Sequence, residues 1–180
     1  SNAWVAGVLG NALQFDGTND HVRIPQNPAM MTGSQFTVAA WVWLDPTSTN
    51  DEPSVISDME VCSYVYRGFW LGYNKNDHGP AGLAGDCSGY TYPHGSVSIT
   101  GRWVHLAMEF NASNGNAARF YQDGVEIASG AHAFVPSTQA EMRIGWSHNS
   151  GKTAHWKGLL DDVRLYNRAL PSVAISSIFE

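Results

Sequence analysis

The chain has few charged residues, no cluster of basic residues and no long apolar run, and each of these absences argues against a class of function. Charged side chains make up 14% of the 180 residues, and the net charge is −6. An average soluble domain contains about 25% charged residues. A phosphate backbone is bound through clustered Lys and Arg, so nucleic acid is not an expected partner. No apolar stretch approaches the roughly 20 residues that cross a bilayer, so membrane insertion is not expected.

Cysteine is also scarce, because the chain contains only Cys62 and Cys87. Two interpretations stay open for this pair: a disulfide, which indicates an oxidising compartment, or two buried free thiols. Neither a CxxC motif nor a Cys and His set at zinc spacing occurs, so a structural zinc site is not expected. We predict the disulfide, and with it a secreted, periplasmic or cell-surface protein.

The chain is rich instead in short apolar segments separated by turn signals. Dipeptides such as Asp16-Gly17 and Asp123-Gly124 interrupt runs of Val, Ile, Phe, Trp and Tyr at regular intervals. This spacing is typical of an all-β sandwich or barrel. The pattern predicts one domain over residues 4–180, with residues 1–3 interpreted as an expression-tag remnant. It predicts strands over residues 36–44, 103–110, 141–146 and 158–166, a hairpin over 118–128 that turns at Asp123-Gly124, and a short helix over 172–179.

Residues 45–56 and 73–96 have a different composition. They are rich in Gly, Pro, Asn, Asp and Ser, with aromatic residues among them. The composition predicts loops in both regions. Loops carried by a rigid sandwich are where binding residues are most often found, so we expect the functional residues in such segments.

Five segments resemble, in order, the laminin-G-like domains of bacterial secreted proteins, which have the concanavalin A-like lectin/glucanase fold. They are residues 10–25, 36–46, 101–111, 118–130 and 156–170. The resemblance implies two curved antiparallel sheets in a jelly-roll sandwich. It also implies a binding module, most often for carbohydrate, although fold alone does not fix the ligand. A protein-interaction or adhesion domain is the alternative, and a glycan-active enzyme is the third.

Asp16, Asp20 and Asp161 are the candidate metal ligands. Some members of the family hold a structural calcium near these ends of the chain, and calcium takes six to eight oxygen ligands. Alternation along GLLDDVRLY places Asp161 on the same face as Val163 and Leu165, which predicts a carboxylate facing the core. The competing interpretation is that Asp16 caps its turn and Asp161 bonds backbone amides or Arg164.

Catalytic motifs are missing from the sequence. Some glucanases of this fold carry an ExDxxE strand, because glycoside hydrolysis needs two carboxyl groups at a fixed separation. Neither that string nor GxSxG or HExxH occurs here. The sequence therefore predicts that the domain is not an enzyme.

Aromatic residues interleaved with polar ones are the candidate ligand-binding residues. Aromatic faces stack on sugar rings, and neighbouring polar groups bond the hydroxyls. Two segments have this pattern, GYTYPHG and GWSHNSGKTAHW, and we expect a shallow site that uses Tyr90, Tyr92, His94, Trp146, His148 and Trp156. The alternative for Trp146 and Trp156 is packing at a sheet edge.

Overall fold

A computed structural model describes residues 3–25, 30, 34–137, 141–147 and 154–180. The strands in these residues form two antiparallel sheets that pack face to face, and one short helix follows them. The predicted all-β sandwich with a C-terminal helix is therefore confirmed.

Sheet A, the first of the two sheets, contains seven strands of the described chain. In spatial order they are β1 (Trp4–Ala6), β2 (Asn11–Asp16), β14 (Lys157–Tyr166), β4 (Gln35–Leu44), β10 (Trp103–Asn111), β11 (Ala117–Gln122) and β12 (Val125–Ala131). The last strand of the chain thus lies between β2 and β4, in the interior of the sheet.

Sheet B contains the remaining strands. In spatial order they are β3 (Val22–Ile24), β13 (Met142–Ile144), β5 (Ser54–Ser57), β7 (Val65–Asn74), β8 (Gly79–Asp86) and β9 (Tyr90–Thr91), and β6 (Glu60–Cys62) pairs with β7. Several of these strands lie in segments that the sequence predicts as loops. That prediction is wrong for residues 54–56, 73–74, 79–86 and 90–91. Gly and Pro are depleted in average strands but abundant in β8, so composition alone does not indicate a strand there.

The core lies between the two sheets and uses alternate residues of β4 and β10. Phe36, Val38 and Val42 of β4 point inward, together with Leu106 and Met108 of β10. Phe36 reaches the facing sheet, where its ring centroid lies 5.1 Å from that of Phe69. Each large side chain buried in this way contributes about 1.5–3 kcal/mol, so these contacts hold the two sheets together.

The outer face of sheet A is partly covered by helix α1 (Ser172–Phe179), which begins directly after Pro171 as predicted. Leu170 and Ile175 pack against Ala107 and Tyr121 of the sheet. His105, Ala107 and Glu109 of β10 lie on this outer face and are also buried. No helix of the described chain is long and apolar enough to span a membrane.

Asp161 does not share the face of Val163 and Leu165, so that expectation is wrong. Asp161 pairs with Trp41 on the outer face of sheet A, whereas Leu165 pairs with the core residue Val38. The register shifts between Asp161 and Arg164, where Asp162 has a φ of 48°. A β-bulge inserts an extra residue and reverses the alternation beyond it, which a strict period of two does not anticipate.

Cys62 and Cys87 form a disulfide, with their Cα atoms 5.4 Å apart. The bridge joins the end of β6 to the turn between β8 and β9. The predicted pairing is confirmed, and the alternative of two free thiols is wrong.

Candidate ligand-binding site

The outer face of sheet B carries a small pocket surrounded by aromatic side chains. Along β7, Phe69 and Leu71 point into the core, so Trp70 between them points outward, opposite Leu83 of β8. The pocket has a volume of about 140 Å³. We call it the aromatic pocket, and its lining residues are Glu52, Met59, Tyr66, Trp70, Asn74, Leu83, Tyr90 and Tyr92.

Trp70 is held in a fixed orientation within the aromatic pocket. A Cβ atom on Gly72, two residues along the same strand, would collide with the Trp70 indole. The missing side chain at Gly72 therefore gives the indole space to lie along the sheet. Trp70 is only 4% exposed, and its ring stacks with that of Tyr92 at a centroid distance of 6.4 Å and an interplanar angle of 18°. Trp70 thus forms a rigid, mostly covered part of the wall.

The polar groups of the aromatic pocket come from Asn74, the last residue of β7, from Glu52 in the loop before β5, and from the Tyr92 hydroxyl. The Tyr92 hydroxyl donates to Asp77 Oδ2 at 3.1 Å, and Asn74 Nδ2 donates to Glu52 Oε1 at 3.5 Å. Burial raises the pKa of the Tyr92 hydroxyl well above its usual range, so this group stays protonated at neutral pH. Carboxylate, amide and hydroxyl groups therefore adjoin the aromatic rings.

Tyr90 is the most solvent-accessible ring of the aromatic pocket, at 44% exposure. Its ring centroid lies 5.4 Å from that of Tyr66. The turn that precedes it is fixed by Asp86, which accepts hydrogen bonds from the hydroxyl and amide of Ser88. These bonds, with the Ser88 hydroxyl contributing most, lower the pKa of Asp86 to about 2. The turn is also tied to Cys62 by the disulfide, so the backbone that leads into Tyr90 is well constrained.

The structure brings together only some of the predicted ligand-binding residues. Tyr90 and Tyr92 both line the aromatic pocket. His94 is exposed and lies beside it, with its ring 5.5 Å from that of Tyr92. His148 lies outside the described residues.

The two predicted tryptophans have other surroundings. Trp156 is 0% exposed and packs in the core between the sheets, so its predicted place at a surface site is wrong. The Trp146 ring is stacked with His155 at 5.4 Å, and the Arg143 guanidinium carbon lies 4.2 Å from its centre. Its faces are therefore occupied by the protein, and it does not line the aromatic pocket.

Asp16, Asp20 and Asp161 do not form one calcium site. Asp16 pairs with Lys157 of β14, and Asp161 lies four residues further along that strand. Because a strand rises about 3.3 Å per residue, the backbone positions of Lys157 and Asp161 are about 13 Å apart. Asp16 Oδ1 accepts the amide of Thr18 at 2.7 Å, and this bond is the main cause of its lowered pKa. Within the described residues, no group of three or more His, Cys, Asp and Glu side chains is placed to hold a metal ion.

Asp161 instead holds the turn between β1 and β2. Its Oδ2 accepts the amide of Leu9 at 2.8 Å, and the missing side chain of Gly7 leaves space for the carboxylate. We predict that Asp161→Ala lowers the free energy of unfolding by about 1–3 kcal/mol, because the Leu9 amide loses its partner. Urea denaturation would measure this loss, which should be the same in EDTA and in millimolar calcium.

Asp20→Ala is the matched control for Asp161→Ala. The Asp20 carboxylate accepts the amide of Asp16 at 3.1 Å in an exposed turn, so its removal should cost less than about 1 kcal/mol. Calcium-dependent stabilisation of the unmodified protein that Asp161→Ala abolishes would contradict the structural role.

Two carboxylates next to the aromatic pocket have opposite pKa shifts, a pattern found in acid–base pairs. Asp58 is buried, and burial raises its pKa to about 7, although its oxygens accept the amides of Phe69 at 2.6 Å and Ser137 at 3.4 Å. Glu60 accepts from Arg67 at 2.6 Å, and this bond lowers its pKa. Both Asp58 and Glu60 form hydrogen bonds to the surrounding protein, and neither is among the described residues that line the aromatic pocket. The carboxylate among those lining residues is Glu52.

Sequence reasoning missed Trp70, Tyr66, Asn74 and Glu52 as members of the site. Gly72 carried the relevant signal, because a glycine inside a strand often marks a close approach to the backbone, here by the Trp70 indole.

Comparison with known proteins identifies the fold. A laminin-G family model, described as the concanavalin A-like lectin/glucanases superfamily, matches residues 16–176. No curated protein sequence matches the chain significantly.

Solved structures share the fold at low sequence identity. Domain 4 of AbnA, an extracellular arabinanase from Geobacillus stearothermophilus solved with arabinotriose, is 23% identical with a TM-score of 0.73, and the match covers 100% of this chain and 82% of that one. The binding domain of Paraclostridial Mosquitocidal Protein 1 is 16% identical, with a TM-score of 0.78 and coverages of 99% and 45%. Trypanosoma rangeli sialidase with sialic acid is 19% identical, with a TM-score of 0.69 and coverages of 95% and 28%. This chain spans less than half of the last two.

Proposed function

Since the chain belongs to the concanavalin A-like lectin/glucanase superfamily, we propose that its aromatic pocket is a carbohydrate-binding site. The observation that carries the proposal is the arrangement of Trp70, Tyr90 and Tyr92 beside the polar groups of Asn74 and Glu52. A sugar presents a weakly apolar face and a ring of hydroxyls, and this combination of side chains matches both. The arabinanase domain solved with arabinotriose has the same fold, which supports the class of ligand.

The site is suited to weak binding. Each aromatic contact contributes about 0.5–1.5 kcal/mol beyond the area that it buries. Ordering of the ligand and of the Tyr90 side chain offsets part of this gain. A pocket of this size should therefore reach a Kd in the micromolar to millimolar range.

We further propose that the domain binds without catalysis and acts outside the cytoplasm. A single described carboxylate, Glu52, lines the aromatic pocket, whereas glycoside hydrolysis uses a pair. The disulfide between Cys62 and Cys87 supports an oxidising compartment, because such bonds are rare in the cytosol.

We predict that Tyr90→Ala weakens binding of a glycan about fivefold, the effect of losing one stacked ring of about 1 kcal/mol. The ligand would first be identified on a glycan array, and Kd would then be measured by calorimetry. Tyr90 is substantially exposed, so the melting temperature should change little.

Tyr64→Ala is the matched control, since Tyr64 is 97% exposed and does not line the aromatic pocket. This variant should bind as the unmodified protein does. Equal affinities of the Tyr90→Ala variant and the unmodified protein would place the sugar on another face. A silent array, together with tight binding of an extracellular protein, would favour the adhesion alternative.

A further inference from the structure

We infer that the aromatic pocket is the middle of a longer groove, which holds an internal stretch of a glycan chain rather than a single terminal sugar. The inference rests on the proposed function, because it assigns the length of the ligand at the same site. It is carried by the exposed rings of Tyr90 and His94, which lie on either side of Tyr92.

The segment from Tyr90 to His94 carries three rings in a row. Thr91 and Pro93 are buried, whereas Tyr90, Tyr92 and His94 are accessible to different extents. Because side chains of an extended segment point alternately to the two faces of a sheet, the three rings share the outer face of sheet B. The ring centroids of Tyr92 and His94 lie 5.5 Å apart. The row therefore continues the aromatic lining of the pocket beyond Tyr92.

The length of this row is fixed by β8, which runs beside it. Gly85 of β8 pairs with Tyr90, and Ala81, four residues before Gly85, pairs with His94, four residues after Tyr90. The register is thus the same at both ends of the row, and the segment between them is extended. At the rise of a strand, the backbone positions of Tyr90 and His94 are about 13 Å apart.

Accessibility is greatest at the two ends of the row. Tyr90 is 44% exposed and His94 is exposed, whereas Tyr92 is partly buried and Trp70 is only 4% exposed. An exposed ring gains most from a ligand, because it has apolar area left to bury. One sugar ring is too short to contact both Tyr90 and His94, so a ligand that uses both rings has to be a chain.

The size of the aromatic pocket fits a chain that is only partly enclosed. Sites for drug-sized molecules enclose about 300–1,000 Å³, whereas this pocket encloses about 140 Å³. One sugar residue can enter beside Trp70 and Tyr92. Its neighbours then lie against the paired rings of Tyr66 and Tyr90 on one side and against His94 on the other. A sugar residue with a neighbour on each side is internal to its chain, so the site does not require a free end of the glycan.

The test is a series of glycans of increasing length. The probes are arabinose, arabinotriose and arabinopentaose, and in parallel glucose, cellotriose and cellopentaose. Binding would be measured by NMR titration at pH 7. In the series that binds, the trisaccharide should bind at least about tenfold more tightly than the monosaccharide, because it adds contacts with two further ring positions. The pentasaccharide should bind within about threefold of the trisaccharide, because the row is already filled.

Tyr90→Ala and His94→Ala each remove one end of the row. Each should weaken trisaccharide binding about threefold to fivefold and leave monosaccharide binding within about twofold, since a monosaccharide occupies the centre of the groove. The two losses should multiply in the double variant, because substitutions more than about 7–10 Å apart act independently. The control is Trp4→Ala, which removes an exposed ring from the edge of sheet A and should leave both affinities unchanged. Unchanged melting temperatures would show that the variants are folded.

The outcomes separate the two proposals. A trisaccharide that binds no more tightly than its monosaccharide, and loses affinity in Tyr90→Ala, would overturn the extended groove while leaving carbohydrate binding in place. A trisaccharide advantage that survives in the double variant would place the additional sugar residues on another surface and would also overturn the groove. Absence of binding to every probe and to a wider glycan array would overturn carbohydrate binding itself, and the groove with it.

Discussion

Replacement of Trp156 by alanine should lower the free energy of unfolding by about 3–5 kcal/mol, the cost of removing a large aromatic side chain from a core. The indole is fully buried among the core residues, and the Trp156 amide donates to the Gly145 carbonyl at 2.8 Å. The surrounding side chains belong to two packed sheets, which limits how far they can move into the space. Urea denaturation followed by circular dichroism would measure the loss.

A matched control for Trp156→Ala is Trp4→Ala, because Trp4 is 70% exposed on the edge strand β1. It should cost less than about 1 kcal/mol, as most surface substitutions do. Trp156→Phe should cost much less than Trp156→Ala, because it keeps an aromatic ring and removes a buried indole N–H that has no hydrogen-bond partner among the described residues. Similar losses at Trp156 and Trp4 would show that Trp156 is not a core residue.

Removal of the disulfide should lower the free energy of unfolding by about 3–4 kcal/mol, the value that the chain-entropy model gives for a loop of this length. The bridged residues are 25 positions apart in the sequence. Binding should weaken as well, because the bridge fixes the turn that leads into Tyr90. The Cys62→Ser, Cys87→Ser double variant would be compared with the unmodified protein by denaturation and by glycan titration.

Reductant supplies the control for the disulfide. It should destabilise the unmodified protein to about the level of the double variant, and it should leave the double variant unchanged. An unmodified protein that unfolds at the same urea concentration with and without reductant, although mass measurement shows two reduced thiols, would contradict the prediction.

The fold was predictable because most strands of sheet A carry apolar residues on one face or on both faces. The helix was predictable from Pro171 and the residues that follow it. The glycine-rich strands of sheet B were not, because their stability comes from pairing with neighbours that are distant in the sequence. Tertiary pairing can place Gly and Pro in a strand against their average preference.

The candidate site was only half predictable, for a related reason. Tyr90 and Tyr92 were identifiable as rings set among small polar residues. Trp156 has the same local composition around it, although it lies directly before β14 with its ring in the core. The face on which Asp161 lies was not predictable either, because the bulge at Asp162 reverses the alternation of β14 without any clear sign in the sequence.

The position of β14 also has a consequence for how the chain folds. This strand comes last in the sequence of strands, yet it pairs with β2, near the first residues, and with β4. Sheet A therefore cannot close until β14, one of its interior strands, has itself been synthesised. Folds with such long-range pairing form slowly, on the order of milliseconds to seconds. Until β14 inserts, β2 and β4 have exposed edges that other chains can pair with, so this interval is when the protein is most prone to aggregation.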